Sequence, residues 1–133
     1  MGWAPAMLER AGVLAGLDRP HLDVLTWATE GGESVDVGFL NAYPHAVSPF
    51  GPQATALSDG EVGRVATLLA QIDVGRLVDG LPDDDRAAKA LIGQGAEGVA
   101  GDVREFLRGH FADLCRFYQE AAGRGLFVVL WWD

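Results

Sequence analysis

The sequence has few of the features by which secreted, membrane-bound or catalytic proteins are recognised. Its 133 residues include one cysteine, Cys115, so no disulfide can form within the chain. No apolar run approaches the ~18–20 residues that a membrane-spanning helix needs, and no basic segment followed by an apolar core marks a secretory leader. These absences predict a cytoplasmic protein. We interpret Cys115 as a small core residue, because lone thiols on apolar helix faces are seldom nucleophiles.

Basic residues are also scarce. Lysine and arginine total 10 against 19 aspartates and glutamates, which gives a formal net charge of −9. A field of this sign repels phosphate backbones and anionic lipid, so we expect neither a nucleic-acid partner nor membrane docking. It favours instead a basic protein partner or a metal cation. The hydrophobic content of 49% argues against disorder, and the length fits a single domain over residues 1–133.

Catalytic and cofactor motifs are missing or incomplete. Residues 93–98 spell G-x-G-x-x-G, but the nucleotide-binding motif needs a preceding strand, and here a helical segment precedes the glycines. We therefore interpret this segment as a glycine-rich connection. Asp83, Asp84 and Asp85 are consecutive, so they cannot all converge on one cation, and helix capping with solvated charge explains them better. The sequence predicts no catalytic residue, no metal and no cofactor.

The three histidines, His21, His45 and His110, are far apart and lack metal-binding spacing. His110 is predicted to be a hydrogen-bonded core residue, while His21 is expected at an exposed first helical turn. His110 falls on the apolar stripe of the last predicted helix, whose other members are Val103, Leu107, Leu114, Phe117 and Ala121; Phe106, Phe111 and Tyr118 widen this stripe. His45 lies near Tyr43 in the proline-rich segment 41–53. Because scaffold-held loops often carry binding groups, Tyr43 and His45 are candidate ligand contacts. A purely structural loop is the competing interpretation.

Apolar periodicity predicts an α/β fold: a single compact domain with a small mixed sheet and helices packed around it. Strands are expected at 34–40, where apolar and polar residues alternate, and at 126–132 (LFVVLWW), which should be buried and central in the sheet. Ser58 with Glu61 fits a capping box. The predicted helices cover residues 5–15, 18–29, 58–72, 74–78 and 86–92, and a last helix starts at residue 99 or 102 and ends at 122.

Trp131 and Trp132 stand at the end of the predicted terminal strand. Consecutive residues of a strand point to opposite faces, so at least one indole is expected to be partly exposed. Exposed tryptophans are frequent anchors of protein interfaces. Trp131 and Trp132 are therefore candidate partner contacts.

Several segments recur together in one known family. They are Leu17-Asp18-Arg19 at a helix start, the 43–53 loop (YPHAVSPFGPQ), residues 56–62 (ALSDGEV), and residues 117–125 (FYQEAAGRG) before an apolar terminal strand. In this order they resemble the YfbM-like family (DUF1877) of uncharacterised bacterial proteins over about residues 17–133. The resemblance implies a compact α/β fold with a mixed sheet and brings no catalytic residues.

The sequence departs from this family at two places. The family opens with an apolar strand, whereas this chain begins MGWAPAMLERAG, so we expect that strand to be missing. The family also has a tryptophan early in the second helix, where Pro20 and His21 stand here.

Two functional interpretations stay open. The leading one is a non-enzymatic binding protein, of the accessory or immunity type, with a basic protein partner. The alternative is a small-molecule-binding protein or enzyme, with its site between the 41–53 loop and the strand ends. No feature indicates an oligomeric state.

Overall fold

The computed structural model describes residues 3–31, 33–34, 55–93 and 95–130. Over these ranges most of the chain is helical, and the predicted mixture of helices and strands is confirmed. The strands are β1 (Glu33–Ser34), β2 (Thr55–Leu57) and β3 (Val128–Leu130). The α-helices are α1 (Trp3–Ala15), α2 (Arg19–Glu30), α3 (Asp59–Ala70), α4 (Val74–Asp79), α5 (Asp85–Ile92) and α6 (Val103–Gly123), and a 3-10 helix covers Ala96–Gly98.

The sheet is small and antiparallel where it is described. Its strand order is β1-β2-β3, with Glu33 opposite Ala56 and Thr55 opposite Leu130. A mixed sheet needs a parallel pair, and the three described strands form none. β2, which the sequence did not predict, occupies the middle position that was expected for the terminal strand.

The two predicted strands are described only in part. Residues 35–40 of the first lie outside the described residues, as do Trp131 and Trp132 of the second. Within the second, Val128 is buried, while Val129 and Leu130 are partly buried. Residues 126 and 127 precede the strand and are exposed.

Of the α-helices whose N-cap residue is described, all except α2 begin with a side-chain hydrogen bond to a backbone amide. The predicted capping box is confirmed, since Ser58 Oγ accepts the amide of Glu61 at 3.2 Å and the Glu61 carboxylate accepts the amide of Ser58 at 2.9 Å. Asp18 does occupy the N-cap position of α2, but its side chain makes no capping hydrogen bond. It contacts His21 instead, at 3.3 Å.

The buried face of α6 differs from the predicted stripe. His110 and Phe117, both expected inside, are exposed, and the His110 ring lies 4.4 Å from that of Phe106. At ~100° per residue, the buried face is rotated by roughly 40° from the predicted one. Apolar side chains occur on both borders of the stripe, so packing against α3, not periodicity, selects the face. The prediction of a core His110 is wrong; the buried residues are Val103, Leu107, Phe111, Tyr118 and Ala121.

Tyr118 joins α6 to α2 inside the core. Its side chain is fully buried, and its hydroxyl donates a hydrogen bond to the Ala28 carbonyl at 2.5 Å. Ala28 lies in the last turn of α2, where carbonyls have no helical partner, so the phenol hydroxyl donates the missing hydrogen bond.

None of the described helices has both the length and the apolar character that crossing a bilayer requires.

Candidate functional site

The four residues predicted to contact a ligand or partner, Tyr43, His45, Trp131 and Trp132, all lie outside the described residues. Their proposed roles as ligand or partner contacts therefore stay predictions. The described surface does present two features that could serve as sites. One lies where α6 turns into β3, and the other lies between α2 and α3.

The first feature is formed by the turn that ends α6. The Leu126 amide bonds to the Ala121 carbonyl at 2.9 Å and the Gly125 amide bonds to the Ala122 carbonyl at 3.1 Å. With Gly125 at a φ of 65°, this pattern is a Schellman motif. Gly125 supplies the left-handed residue of the motif. The motif reverses the chain so that the residues after it lie beside the last turns of α6.

Three large apolar side chains are exposed around this turn, and we call them the apolar patch. They are Phe117 (53% exposed), Leu126 (41%) and Phe127 (62%). The patch borders a groove of about 310 Å³ between the end of α6 and the start of β3. Clusters of exposed apolar side chains on soluble proteins commonly mark interaction sites.

One side chain of the apolar patch packs against a buried ring, and an ion pair borders the patch. The Phe117 ring packs edge-on against buried Tyr118, with centroids 5.2 Å apart. Glu120 and Arg124, which also line the groove, are 4.0 Å apart and both exposed. The sequence does not predict this surface, because Phe117 falls on the apolar stripe that is expected to be buried.

The second feature is a cleft of about 760 Å³, which we call the α2–α3 cleft. One wall is the outer face of α2, and the other is α3. Near Gly31, where α2 ends, the cleft approaches the sheet, since a Cβ at Gly31 would lie 2.1 Å from the hydroxyl of Thr55 in β2. The lining residues are Arg19, Pro20, Asp23, Val24, Thr26, Trp27, Gly31, Arg64 and Leu68.

The charges of the cleft are unevenly paired. Arg19 Nε lies 3.0 Å from the Asp23 carboxylate, in an exposed pair one helical turn apart. The Arg64 guanidinium lies 5.9 Å from the centre of the Trp27 ring, near the limit of a cation–π contact. Within the described ranges, no carboxylate pairs with Arg64.

Glu9 of α1 contacts Thr26, one of the residues that line the cleft. Burial raises the pKa of its carboxyl group, a hydrogen bond with Thr26 opposes the rise, and nearby Glu30 adds to it. Because Glu9 engages Thr26, the Thr26 hydroxyl already has a protein partner.

His21 bridges two helices. Its Nδ1 lies 3.3 Å from Asp18 Oδ1, and its Nε2 lies 3.1 Å from Gln71 Oε1 at the end of α3. The pKa of Asp18 is lowered, first by its own backbone amide and then by His21. An aspartate–histidine pair forms part of catalytic triads, but here the second nitrogen faces an amide oxygen and not a nucleophile. The arrangement ties α2 to α3, and His21, which was expected to be exposed, is partly buried.

The three consecutive aspartates have separate structural tasks. Asp84 caps α5, as predicted, and Asp83 accepts a hydrogen bond from Arg104 at 3.0 Å. Asp85 accepts the first amide of α6 at 2.8 Å and pairs with Lys89 at 2.9 Å. Both interactions lower the pKa of Asp85, the bond to Lys89 most. No group of acidic, histidine or cysteine side chains suited to a metal occurs in the described part of the chain.

The remaining candidates from the sequence are also explained by structure. α5 precedes Gly93, so the glycine pattern follows a helix and not a strand, as predicted. Cys115 is partly buried, and burial raises the pKa of its thiol. A raised pKa reduces the thiolate fraction at neutral pH, which makes the thiol a poorer nucleophile.

The chain matches no protein-family model, no curated protein and no solved structure. The resemblance to the YfbM-like family therefore stays a prediction.

Proposed function

We propose that the protein is a non-enzymatic binding protein, of the accessory or immunity type, that docks a basic protein partner on the apolar patch. The observation that carries this proposal is the exposure of Phe117, Leu126 and Phe127 around one groove. Phenylalanine and leucine at a groove can insert into a partner, and aromatic side chains are enriched at the energetic centres of interfaces.

The free energy gained by burying the apolar patch supports a specific complex. Full burial of a leucine or phenylalanine side chain stabilises by about 1.5–3 kcal/mol, so three half-exposed side chains together contribute a few kcal/mol. This is enough to focus binding on one region but not to hold a complex alone. Trp131 and Trp132, which directly follow β3 in sequence, are part of the proposal as additional anchors.

The basic character of the partner is proposed from charge. The chain carries a net charge of −9, so a basic protein would be drawn to it at long range, and a nucleic acid would be repelled. Such attraction mainly raises the association rate and orients the encounter, while the apolar contacts set the dissociation rate.

The proposal of no enzymatic activity is supported by how the reactive side chains are used. His21 is engaged by Asp18 and Gln71, and the burial of Cys115 keeps its thiol protonated. The carboxylates of Asp84 and Asp85 cap helices. Each of these groups is occupied by a contact within the fold.

We also propose a cytoplasmic location, a compact single domain with a buried terminal strand, and membership of the YfbM-like family. The single cysteine supports the location. The burial of Val128 and its pairing with Leu57 support the placement of the strand. The sequence segments around the Leu17 and Ser58 helix starts support the family.

The experiment is a comparison of matched serine variants. Proteins captured from the native host are identified, and the purified candidate partner is then titrated with the wild-type chain, Phe127→Ser and Leu91→Ser. Leu91 is also 41% exposed but lies on α5, outside the patch, so it controls for the loss of any surface apolar side chain. Substitutions at such exposed positions should change folding stability by only about 0.5 kcal/mol.

We expect Phe127→Ser to weaken binding about tenfold or more, the equivalent of ~1.4 kcal/mol, and Leu91→Ser to leave it unchanged. The association rate should fall as salt rises from about 50 to about 300 mM, because screening weakens long-range attraction. A purified partner that is acidic, or that responds equally to both variants, would contradict the proposal.

A further inference from the structure

We infer that the α2–α3 cleft binds a small organic anion, namely an aromatic or heteroaromatic ring carrying a carboxylate or phosphate group. This site is separate from the apolar patch and does not depend on it. The cleft volume of about 760 Å³ is suitable for such a ligand, since small-molecule sites commonly measure ~300–1,000 Å³.

The charges of the residues that line the cleft indicate that its ligand is negatively charged. Two arginines and one aspartate line the cleft, so its lining is net positive in a chain whose net charge is −9. Asp23 is already paired with Arg19 at 3.0 Å. Arg64 is therefore the charged group of the cleft that has no carboxylate partner among the described residues. Its guanidinium would be neutralised by a bound anion.

Arg19 can turn towards the same anion. Its pair with Asp23 is exposed, and such surface pairs stabilise by only ~0–1 kcal/mol, so an incoming anion competes easily for the guanidinium. The repulsion from the rest of the acidic chain is weaker at contact, because at physiological salt it is screened beyond about 8 Å. Local contacts with Arg19 and Arg64 then determine affinity.

The position of Trp27 indicates that the ligand carries a flat apolar ring. Its indole is partly buried against the core, which fixes the ring plane, and Arg64 lies over that ring. Leu68, one turn after Arg64 on α3, adds an apolar side chain to the same wall. A ring placed against Trp27 would therefore hold its charged substituent beside a guanidinium.

Carboxylate and phosphate share the chemistry that arginine recognises. Each offers two oxygens in the spacing of the guanidinium fork, and the charged hydrogen bonds are roughly twice as strong as neutral ones. The test therefore includes one probe of each group.

The test is an NMR titration of backbone and indole amides. The probes are benzoate and phenyl phosphate, with benzyl alcohol as the uncharged ring and inorganic phosphate as the anion without a ring. The variants are Arg64→Gln, Arg64→Lys and the control Arg86→Gln, an exposed arginine of α5 that does not line the cleft.

We expect one or both ring-bearing anions to shift the amides of α2 and α3 and the Trp27 indole. Arg64→Gln should raise the dissociation constant about tenfold, since a charged hydrogen bond of this kind is lost. Arg64→Lys should recover part of that loss, and Arg86→Gln should have no effect. The tighter of the two anions identifies the headgroup.

Three results would overturn the inference. The first is the absence of amide shifts up to about 10 mM of either anion, a range that would detect even millimolar dissociation constants. The second is binding of benzyl alcohol as tight as that of the anions, and the third is an equal loss of anion affinity in Arg64→Gln and Arg86→Gln. Thermal melts of each variant verify folding, and Arg64→Lys retains the charge if Arg64→Gln unfolds.

Discussion

The hydrogen bond between Tyr118 and Ala28 gives the sharpest test of the core. Tyr118→Phe removes one hydroxyl and keeps the ring, which is completely buried. The hydroxyl donates to the Ala28 carbonyl at 2.5 Å across two helices. Without it, that carbonyl lies in the last turn of α2, buried beside a ring that cannot donate. The variant therefore isolates the effect of one interhelical hydrogen bond.

The expected magnitude follows from this geometry. A typical hydrogen bond contributes about 0.5–1.5 kcal/mol, but leaving a buried acceptor unsatisfied costs about 1–3 kcal/mol. The ring remains, so the loss of about 2–5 kcal/mol seen when core side chains are truncated does not apply. We expect Tyr118→Phe to reduce the free energy of unfolding by about 1–3 kcal/mol. Urea unfolding should show a lower midpoint with an unchanged slope.

The pH dependence of this difference is a second readout. Burial raises the pKa of the Tyr118 phenol. A group whose pKa is higher in the folded state stabilises fully below its unfolded pKa, here about 10, and loses that contribution as pH rises further. Above about pH 10 the wild type should lose about 1.4 kcal/mol per pH unit relative to Tyr118→Phe. The two proteins should therefore converge in stability.

A suitable control is Thr67→Ala, which removes an exposed hydroxyl that bonds to the Gly63 carbonyl at 3.0 Å within α3. It should change stability by about 0.5 kcal/mol or less, because water replaces the bond. If Tyr118→Phe were no more destabilising than Thr67→Ala, or if the gap to wild type did not narrow in alkali, the reasoning would be refuted.

Three further predictions concern backbone and capping. Gly31→Ala should lower the melting temperature more than Gly16→Ala. Both glycines have a positive φ, but only at Gly31 would a Cβ meet another residue, the Thr55 side chain at 2.1 Å. Equal losses of melting temperature would contradict this prediction. Asp85→Asn should lower stability at pH 7. The difference from wild type should vanish as pH falls below about 4, because a carboxyl with a lowered pKa stabilises only when ionised; a constant gap in acid titrations would argue otherwise. Ser58→Ala should cost about 1 kcal/mol in urea unfolding, and no change would exclude a role for the capping box.

Local signals explain why the helices were predictable. The Ser58 capping box, the glycine at position 31 and the aspartate at 84 each act within a few residues, so their effect can be derived from sequence alone. β2 escaped because three residues, Thr55 to Leu57, are too few to show a period. The buried face of α6 was predicted only in part. Phe111 and Phe117 are equally apolar, and only packing against α3 distinguishes the buried ring from the exposed one.

The two candidate sites could not have been predicted from the sequence for a related reason. The apolar patch depends on which phenylalanine of α6 is turned outward. The α2–α3 cleft depends on Arg64 approaching Trp27 across two helices that are distant in sequence. No short-range pattern encodes either arrangement. The Schellman motif at Gly125 was partly predictable, but not its consequence that residues 126 and 127 are exposed.

The two surfaces should be tested by side-chain variants and not through the backbone between them. Gly31 borders the cleft, a Cβ there would also approach Leu130 at 2.9 Å, and β3 continues from the apolar patch. Gly31→Ala would thus disturb both surfaces at once. Arg64→Gln and Phe127→Ser change one surface each. Arg64 lines the cleft, and Phe127 lines the groove beside the apolar patch. In the double variant, the loss of anion affinity should match that of Arg64→Gln alone, and the loss of partner affinity should match that of Phe127→Ser alone, each to within about 0.5 kcal/mol. A larger change in either affinity would show that the two sites are coupled.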